Sequence, residues 1–398
     1  MRLLLTSNAT YAPPRGGSTR SNLVWLRHLA GQGHECVVVA AAEEDTPAPE
    51  LTRDGIRFLS EREASERPAA LGRQIAEFRP DWVLLSSEDL GHTLLREAFR
   101  GAPGRVVYLA HTPQFFPFGP ESWHPDPGAS KLLREAAAIV AISRTVADYV
   151  AEHLGKTAAV IHPPMYGAGP WPNLANLNGV VTMVNPCAVK GLPVFLRLAE
   201  RFPLVSFHAL RGWGTTAADE REMARLGNIT VVGTVGNIEE QLAKTRVMLM
   251  PSLWFEGFGL VVTEAMLRGI PVIASDAGGL VEAKLGTGFA VPVSPIRKYE
   301  ARFDDRNMPV AEAPPQDVGA WDTALSKLLS DDALYWRESE AERAAATRFV
   351  ESLDAGDFER LLLGLRPAEA PVAARKADSL TPEQRALLLR KMRQRAEG

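Results

Sequence analysis

The sequence predicts an α/β protein in which two doubly wound, Rossmann-like domains face each other and a helical extension follows. Short apolar runs alternate with amphipathic stretches, which is the pattern of parallel strands covered by helices. A segment rich in Pro, Gly and Asn interrupts this alternation after His162, and a second alternation then begins. The length of 398 residues also favours two domains over a single core.

The first alternation predicts an N-terminal domain over residues 1–165. Its predicted strands are Leu3–Thr6, Cys36–Ala40, Trp82–Leu85, Val106–Ala110, Ile139–Ile142 and Ala159–Ile161. Its predicted helices are Thr19–Ala30, Ala69–Phe78, Leu90–Phe99, Ser130–Glu135 and Arg144–His153.

The second alternation predicts a C-terminal domain over residues 166–345, with C-terminal helices over 346–364 that pack back on the first domain. Its predicted strands are Val180–Val184, Val205–Ala209, Ile229–Val232, Val247–Met250, Val272–Ala274 and Phe289–Val291. Its predicted helices are Leu192–Arg201, Ala217–Arg225, Ile238–Lys244, Leu260–Arg268, Leu280–Lys284 and a helical region at Trp321–Arg348 and Asp357–Leu363. We expect a ligand cleft at the carboxyl ends of both sets of strands.

Composition and patterning argue against several classes of protein. The net charge of −4 provides no basic field for nucleic acid. No apolar run reaches the roughly 18–20 residues of a transmembrane helix, and the N-terminal segment is typical of a first strand rather than a signal peptide. Cys36 and Cys187 lie in apolar surroundings, so we expect buried free thiols and a cytoplasmic setting. No metal-ligand motif occurs, so neither a metal nor a cofactor is expected.

The strongest chemical signal is the run from Glu256 to Gly279, EGFGLVVTEAMLRGIPVIASDAGG. In it, Gly257 and Gly259 precede a predicted helix that carries Glu264. The glycines allow a ligand to approach the backbone closely, and the free N–H groups of a helix start attract anions. Two carboxylates at different heights suit the hydroxyl groups of an extended molecule. The run therefore predicts a phosphate-containing ligand.

This run resembles the retaining family-4 glycosyltransferases, which have the glycosyltransferase-B fold of two facing Rossmann-like domains. The resemblance extends over roughly residues 1–350, and Glu256 and Glu264 match the family's E-x-x-x-x-x-x-x-E pattern. It implies transfer of a sugar, with retention, from a nucleotide-diphosphate-sugar donor to a small-molecule or carrier-bound acceptor. It also implies that Glu256 contacts the donor sugar and Glu264 the ribose. The backbone residues that it places near the phosphates are Gly257, Phe258, Gly259 and Leu260.

Two glycines and two cations are further candidates for donor binding. Gly16 and Gly17 form either a plain turn or, as the resemblance implies, a border of the donor diphosphate. Lys190 is either a solvated charge or, as the resemblance implies, the cation that neutralises the leaving diphosphate. Many relatives carry an arginine a few residues earlier, where this chain has Asn185-Pro186. Arg211 is a candidate substitute, with a solvated arginine as the alternative.

His111 follows a predicted strand of the first domain and introduces an aromatic stretch. A structural histidine is one interpretation. In similar enzymes a histidine at this place touches the donor sugar and supports charge at the reacting centre. The aromatic side chains that follow form either an acceptor pocket or a packed lid, and they are Phe115, Phe116, Phe118 and Trp123.

The C-terminal tail predicts a linker over 365–380 and a basic amphipathic helix over 381–398, with Thr381 as its N-cap. Its sequence LTPEQRALLLRKMRQR resembles the opening of condensation domains in nonribosomal peptide synthetases. Three interpretations stay open. The helix packs on its own protein, it docks to a biosynthetic megasynthase of natural product metabolism, or it is the cut end of a longer chain.

Two other functions stay open beside sugar transfer. One is a sugar-nucleotide 2-epimerase on the same fold, which would isomerise the donor without any acceptor. The other is a non-catalytic docking module, suggested by Asn185-Pro186 in place of a cation and by the tail. A dehydrogenase is disfavoured, because no G-x-G-x-x-G follows the first predicted strand.

Truncation of Glu256 and truncation of Glu264 are predicted to impair different properties of the protein. We expect Glu264→Ala to weaken nucleotide binding more than Glu256→Ala does, because ribose is part of every nucleotide. We expect Glu256→Ala mainly to lower turnover, because it contacts the transferred sugar. Calorimetric titration with a nucleoside diphosphate, beside a turnover assay, measures both effects. Equal losses of nucleotide affinity in the two variants would contradict the assigned roles.

Overall fold

The computed structural model describes residues 1–233, 238–306 and 308–367. The predicted docking helix over 381–398, and the linker from residue 368 onward, lie outside the described residues. Within the described part, the predicted fold class is confirmed, because two parallel sheets covered by helices are followed by C-terminal helices.

The sheet of the first domain has the strand order β3-β4-β2-β1-β5-β6-β7-β8, and its pairs are parallel apart from β3 with β4. Its strands are β1 (Arg2–Thr10), β2 (Glu35–Ala41), β3 (Glu50–Arg53), β4 (Ile56–Glu61), β5 (Trp82–Ser86), β6 (Val106–Ala110), β7 (Ala138–Ala141) and β8 (Ala159–Val160). Its helices are α1 (Gly17–Gly31), α2 (Arg67–Phe78), α3 (Thr93–Gly101), α4 (Pro127–Arg134) and α5 (Arg144–Leu154).

The sheet of the second domain has the strand order β11-β10-β9-β12-β13-β14. Its strands are β9 (Val180–Val184), β10 (Phe207–Leu210), β11 (Ile229–Val232), β12 (Thr245–Met250), β13 (Val272–Ser275) and β14 (Phe289–Val291), and a hairpin of β15 (Tyr299–Phe303) and β16 (Pro309–Ala311) follows. The helices are α6 (Leu192–Arg201), α7 (Ala217–Ala224), α8 (Glu239–Leu242), α9 (Leu260–Leu267), α10 (Leu280–Ala283), α11 (Gly319–Ser330), α12 (Asp332–Glu351) and α13 (Asp357–Gly364).

The strand order of the second sheet determines where the candidate site lies. In the second sheet the chain order reverses between β9 and β12, so the loops after these two strands border a crevice at their carboxyl ends. Both strands are fully parallel partners, with Met183 opposite Leu249. The loop after β9 carries Lys190, and the loop after β12 carries Glu256. The fold therefore brings these two side chains together, although 66 positions separate them in the sequence.

Each predicted strand has a counterpart, and two hairpins went unpredicted. The β3–β4 hairpin turns at Asp54 and Gly55, whose φ angles of 53° and 73° are those of a tight hairpin turn. The β15–β16 hairpin extends the loop after β14. The helical region predicted at Trp321–Arg348 contains two helices, because Asp331 caps α12 by accepting a hydrogen bond from Leu334 N.

The C-terminal helix α13 contacts the first domain. The ring of Phe358 lies 4.9 Å from that of Trp25 on α1. The Glu359 carboxylate hydrogen-bonds the rings of His34, at 2.8 Å, and His28, at 3.2 Å. The described residues thus begin and end in the first domain, and α12 connects the two domains a second time.

Glu282 on α10 joins the two domains at the start of α5. Its carboxylate accepts hydrogen bonds from the backbone N–H groups of Arg144 and Thr145, from the Thr145 hydroxyl, and from His162 at 3.0 Å. Burial alone would raise the pKa of Glu282, but these hydrogen bonds outweigh burial and lower its pKa to about 2. The ionised carboxylate therefore stabilises the contact between the domains.

Glu282→Gln is expected to lower the thermal midpoint at pH 7. The pKa of Glu282 in the folded protein lies below the ordinary value of 4.5, so its contribution is complete above pH 4.5 and is lost as the pH falls towards 2. The shift corresponds to at most about 3 kcal/mol. Scanning calorimetry should show the two midpoints converging through this pH range. Glu300→Gln, at an exposed pair with Arg302, is the control, and a Glu282→Gln midpoint that equals the wild-type midpoint at pH 7 would refute the role.

Candidate functional site

The two domains are in direct backbone contact beside the predicted donor site. A Cβ atom on Gly257 would lie 2.1 Å from the carbonyl oxygen of His111, at the end of β6, so any side chain here would push the domains apart. The Ser143 hydroxyl, at the start of α5, donates a 2.6 Å hydrogen bond to the Gly257 carbonyl. In the second domain, Gly279 N donates to the Glu256 carbonyl at 2.8 Å. The segment that carries Glu256 is thus fixed from both domains.

Two helix starts face each other next to this contact. A Cβ atom on Gly17 would lie 3.0 Å from Leu260 Cδ1, which brings the start of α1 against the start of α9. The N-cap residues are Gly16 and Gly259, with φ angles of 87° and 107°, and no side chain of the described residues caps either helix. Uncapped helix starts carry partial positive charge and free N–H groups. Their convergence forms a site suited to an anion.

Glu256 is the centre of a compact polar cluster. Its Oε1 accepts hydrogen bonds from Lys190 Nζ at 2.6 Å, Ser252 Oγ at 2.5 Å and Trp254 Nε1 at 2.8 Å. The carboxylate is buried, and the Lys190 ammonium lies 4.5 Å above the ring of Trp254 and 5.9 Å from that of Trp213. Both charges are therefore paired inside a largely aromatic environment.

Glu264 lies on α9, one helical turn beyond the anion site. Burial raises the pKa of this carboxyl, and the positive charges of Arg20 and Arg268 offset part of that rise. Arg20 Nη2 lies 3.3 Å from Glu264 Oε1, and it comes from α1 of the other domain. Arg268 donates to the Glu264 backbone carbonyl and forms its ion pair with Glu239 at 2.6 Å.

The charged group of Arg211 is paired with Glu220. Its guanidinium forms a two-point ion pair with Glu220, at 2.6 Å and 2.9 Å, on the surface of the second domain. Asn185 occupies the left-handed region with φ of 57°, and its Oδ1 accepts a hydrogen bond from Gly214 N. The role of Arg211 as a second donor cation stays a prediction, and no contact within the described residues supports it.

The His111 ring is buried rather than open to the cleft. Asn22 donates its amide N–H groups to the Tyr11 and Ser86 hydroxyls, so its Oδ1 accepts a 2.8 Å hydrogen bond from His111 Nε2–H. Burial lowers the pKa of His111 and favours the neutral ring. Its Nδ1 is then an acceptor, and no hydrogen-bond partner for it occurs in the described part of the chain.

The aromatic stretch after His111 divides into two groups. Phe116 and Phe118 are buried and pack on each other, with ring centroids 5.2 Å apart, as a packed lid requires. Trp123 instead contacts the ring of Trp254 at 5.9 Å and the ring of Phe115 at 5.3 Å. The second group continues the aromatic surroundings of Lys190 along the cleft.

Three contributors to the site were not identified from the sequence. Ser252 and Trp254 precede Glu256 by four and two residues, and only the folded turn shows that both donate to its carboxylate. Arg20 reaches Glu264 across 244 positions of sequence, and the signal for it was a cation one turn after Gly16-Gly17.

Three further observations concern the expected absences and the cysteines. Residues 1–233, 238–306 and 308–367 contain no group of three or more His, Cys, Asp or Glu side chains that could hold a metal ion. In the same ranges, no helix combines the length and apolarity needed to cross a bilayer. Both cysteines lie in the described part of the chain and are buried and free, and burial raises the pKa of Cys36 to about 11.

Comparison with known proteins matches both halves of the chain. Residues 15–165 match the model described as Glycosyltransferase Family 4, and residues 180–302 match that described as Glycosyl transferases group 1. An exopolysaccharide phosphotransferase of Streptomyces coelicolor is 26% identical over 281 residues, which cover 66% of this chain and 27% of that protein. An uncharacterised 41.2 kDa protein from the cps region of Klebsiella pneumoniae is 41% identical over 71 residues, 17% of this chain and 20% of that protein. The chain thus spans about a quarter or less of these relatives.

Solved structures share the fold at low sequence identity. Sucrose-phosphate synthase from Thermosynechococcus elongatus has a TM-score of 0.66 at 15% identity, with 91% of this chain and 96% of that chain covered. HepE from Anabaena, solved with UDP-glucose, has a TM-score of 0.64 at 16% identity, with 91% and 98% covered. AviGT4, a glycosyltransferase involved in avilamycin A biosynthesis, has a TM-score of 0.52 at 20% identity, with 91% and 98% covered.

The fold, the cleft geometry and the two family matches agree with one another. The chain has the glycosyltransferase-B fold, and it contains a stretch similar to glycosyltransferase family 4 in its first half and a stretch similar to glycosyl transferases group 1 in its second.

Proposed function

We propose that this chain is a glycosyltransferase that takes its sugar from a nucleotide-diphosphate-sugar donor and transfers it with retention of anomeric configuration. One observation carries the proposal. The uncapped start of α9 lies between the carboxylates of Glu256 and Glu264 in the sequence and meets the uncapped start of α1 across the cleft. An anion with hydroxyl-bearing groups on both sides is the ligand that this arrangement fits. HepE, which shares the fold, was solved with UDP-glucose.

The donor would lie along the carboxyl edge of the second sheet. Glu264 would accept hydrogen bonds from the ribose hydroxyls, and the diphosphate would face the helix starts at Gly16-Gly17 and Gly259-Leu260. The sugar would then reach Glu256. Because Oε1 of Glu256 is held by three donors, its position is fixed before the donor arrives.

Lys190 would stabilise the leaving group. Cleavage of the anomeric bond places negative charge on the diphosphate, and a fixed cation in a dry cleft stabilises that charge. The Lys190 ammonium is held at 2.6 Å by Glu256 and flanked by Trp254, so it is ordered and shielded from water. In this assignment cationic side chains and helix starts act in place of a divalent ion.

His111 would take part as a neutral group. With Nε2–H committed to Asn22, its buried Nδ1 has no hydrogen-bond partner among the described residues, and it would accept a hydrogen bond from a sugar hydroxyl only after donor binding opens a path to the ring. Retention then requires the acceptor to attack on the face from which the diphosphate leaves. The His111 carbonyl lies beside Gly257, where the first domain contacts the segment that carries Glu256.

The acceptor would enter along the aromatic side of the cleft. Trp123 extends the aromatic contacts of Trp254 into the first domain, and Trp213 keeps 39% of its surface exposed beside Lys190. Aromatic faces suit the apolar faces of sugars and other rings. We propose a small-molecule or carrier-bound acceptor in specialised-metabolite or glycoconjugate biosynthesis, to which the avilamycin and exopolysaccharide relatives point. Docking to a megasynthase through 381–398 stays a prediction outside the described residues.

A nucleotide-sugar 2-epimerase is the alternative on the same fold. The two reactions separate when the donor is incubated without an acceptor. A transferase is expected to release nucleoside diphosphate and free sugar slowly, by hydrolysis. A new nucleotide-sugar isomer, detected by mass and chromatography, would overturn the transferase proposal.

A screen of nucleotide-sugars against wild type and Lys190→Ala tests the proposal. At least one donor should bind and be hydrolysed slowly, and Lys190→Ala should lower that rate by about 10²–10³-fold, the range seen when one charge-stabilising donor is removed. Lys131→Ala, on the exposed side of α4, is the matched control. Failure of every donor to bind, or an unchanged rate in Lys190→Ala, would contradict the proposal.

A further inference from the structure

Arg20 lies in the cleft and contacts Glu264, the carboxylate proposed to bind the ribose. The two residues belong to opposite domains. Arg20 is one turn into α1, three residues after Gly17, and its Nη2 lies 3.3 Å from Glu264 Oε1. The side chain of Glu264 is only 9% exposed, whereas that of Arg20 is 49% exposed. One side of the guanidinium therefore contacts the buried carboxylate while much of the group stays accessible from the cleft.

The contact with Arg20 favours the ionised form of Glu264, the form better suited to binding the ribose. Burial raises the pKa of this carboxyl, and the Arg20 charge is the foremost influence that opposes the rise. An ionised carboxylate is a better acceptor for two hydroxyl groups than a protonated one. Arg20 thus supports the ionised form of Glu264 from across the domain boundary.

The other cations around the site are already paired at short range. Lys190 lies 2.6 Å from Glu256, Arg268 lies 2.6 Å from Glu239, and Arg211 is bound at two points by Glu220. In the described part of the chain, the Arg20 guanidinium has a single hydrogen-bond partner, Glu264, at the longer distance of 3.3 Å. A guanidinium has five N–H donors, so Arg20 has several left for a second anion.

We propose that Arg20 binds the donor diphosphate from the first domain while it holds Glu264 for the ribose. The guanidinium fork can bridge a carboxylate and a phosphate oxygen, and the start of its own helix borders the same anion site. Arg20 is then a donor-binding residue supplied by the first domain. This inference rests on the proposed nucleotide-sugar function.

The test compares ligands that differ only in their phosphates. Wild type, Arg20→Ala and Arg20→Lys are titrated by calorimetry with UDP, GDP, ADP and dTDP, and the best binder is then compared with its monophosphate and its nucleoside. Arg20→Ala should weaken diphosphate binding at least tenfold more than nucleoside binding, and Arg20→Lys should recover part of the loss. Arg27→Ala is the control, because Arg27 is on the same helix and pairs with Asp54 at the surface.

The possible results distinguish failure of the Arg20 inference from failure of the proposed function. An equal fold-loss for the nucleoside, monophosphate and diphosphate in Arg20→Ala would mean that Arg20 only positions Glu264, and it would overturn this inference. Unchanged diphosphate binding in both Arg20 variants would also overturn it. If wild type bound none of the four diphosphates, the proposed function itself would fail. Arg20→Lys keeps the charge, so the comparison stands even if Arg20→Ala does not fold.

Discussion

The contact between the Gly257 backbone and the His111 carbonyl is the constraint on which the rest of the site depends. The space admits no side chain, since a Cβ atom would come within 2.1 Å of that oxygen. The Ser143 hydroxyl then binds the Gly257 carbonyl from the same domain as His111. Because the domains approach this closely, the starts of α1 and α9 meet and Arg20 reaches Glu264. The proposed donor site depends on this approach of the two domains rather than on either domain alone.

Buried and partly buried carboxylates are paired with partners from other segments in this region. Glu256 pairs with Lys190 within the second domain, and Glu264 pairs with Arg20 across the cleft. Glu282 binds the start of α5, also across the domains. Removing one partner of a buried pair leaves an uncompensated charge, which is strongly unfavourable. The contacts of Glu264 and Glu282 therefore join the two domains, and the pairs of Glu256 and Glu264 set the charge that a donor would meet.

Periodicity was sufficient for the fold, because buried parallel strands are continuous apolar runs that stand out from amphipathic helices. The β3–β4 hairpin was missed although Asp54-Gly55 is a strong turn signal, since β3 is a polar edge strand of four residues without a continuous apolar run. Glycines and carboxylates of the site were identifiable because their chemistry is local. Partnerships set by domain docking or surface pairing, such as Arg20 with Glu264 and Arg211 with Glu220, leave no local pattern.

The central claim is that a diphosphate binds between the starts of α1 and α9. A crystal structure with the nucleoside diphosphate that binds most tightly tests this claim most directly. The account predicts the diphosphate between Gly16-Gly17 and Gly259-Leu260, with the ribose hydroxyls on Glu264. A nucleotide bound at any other place, with these helix starts unoccupied, would contradict it.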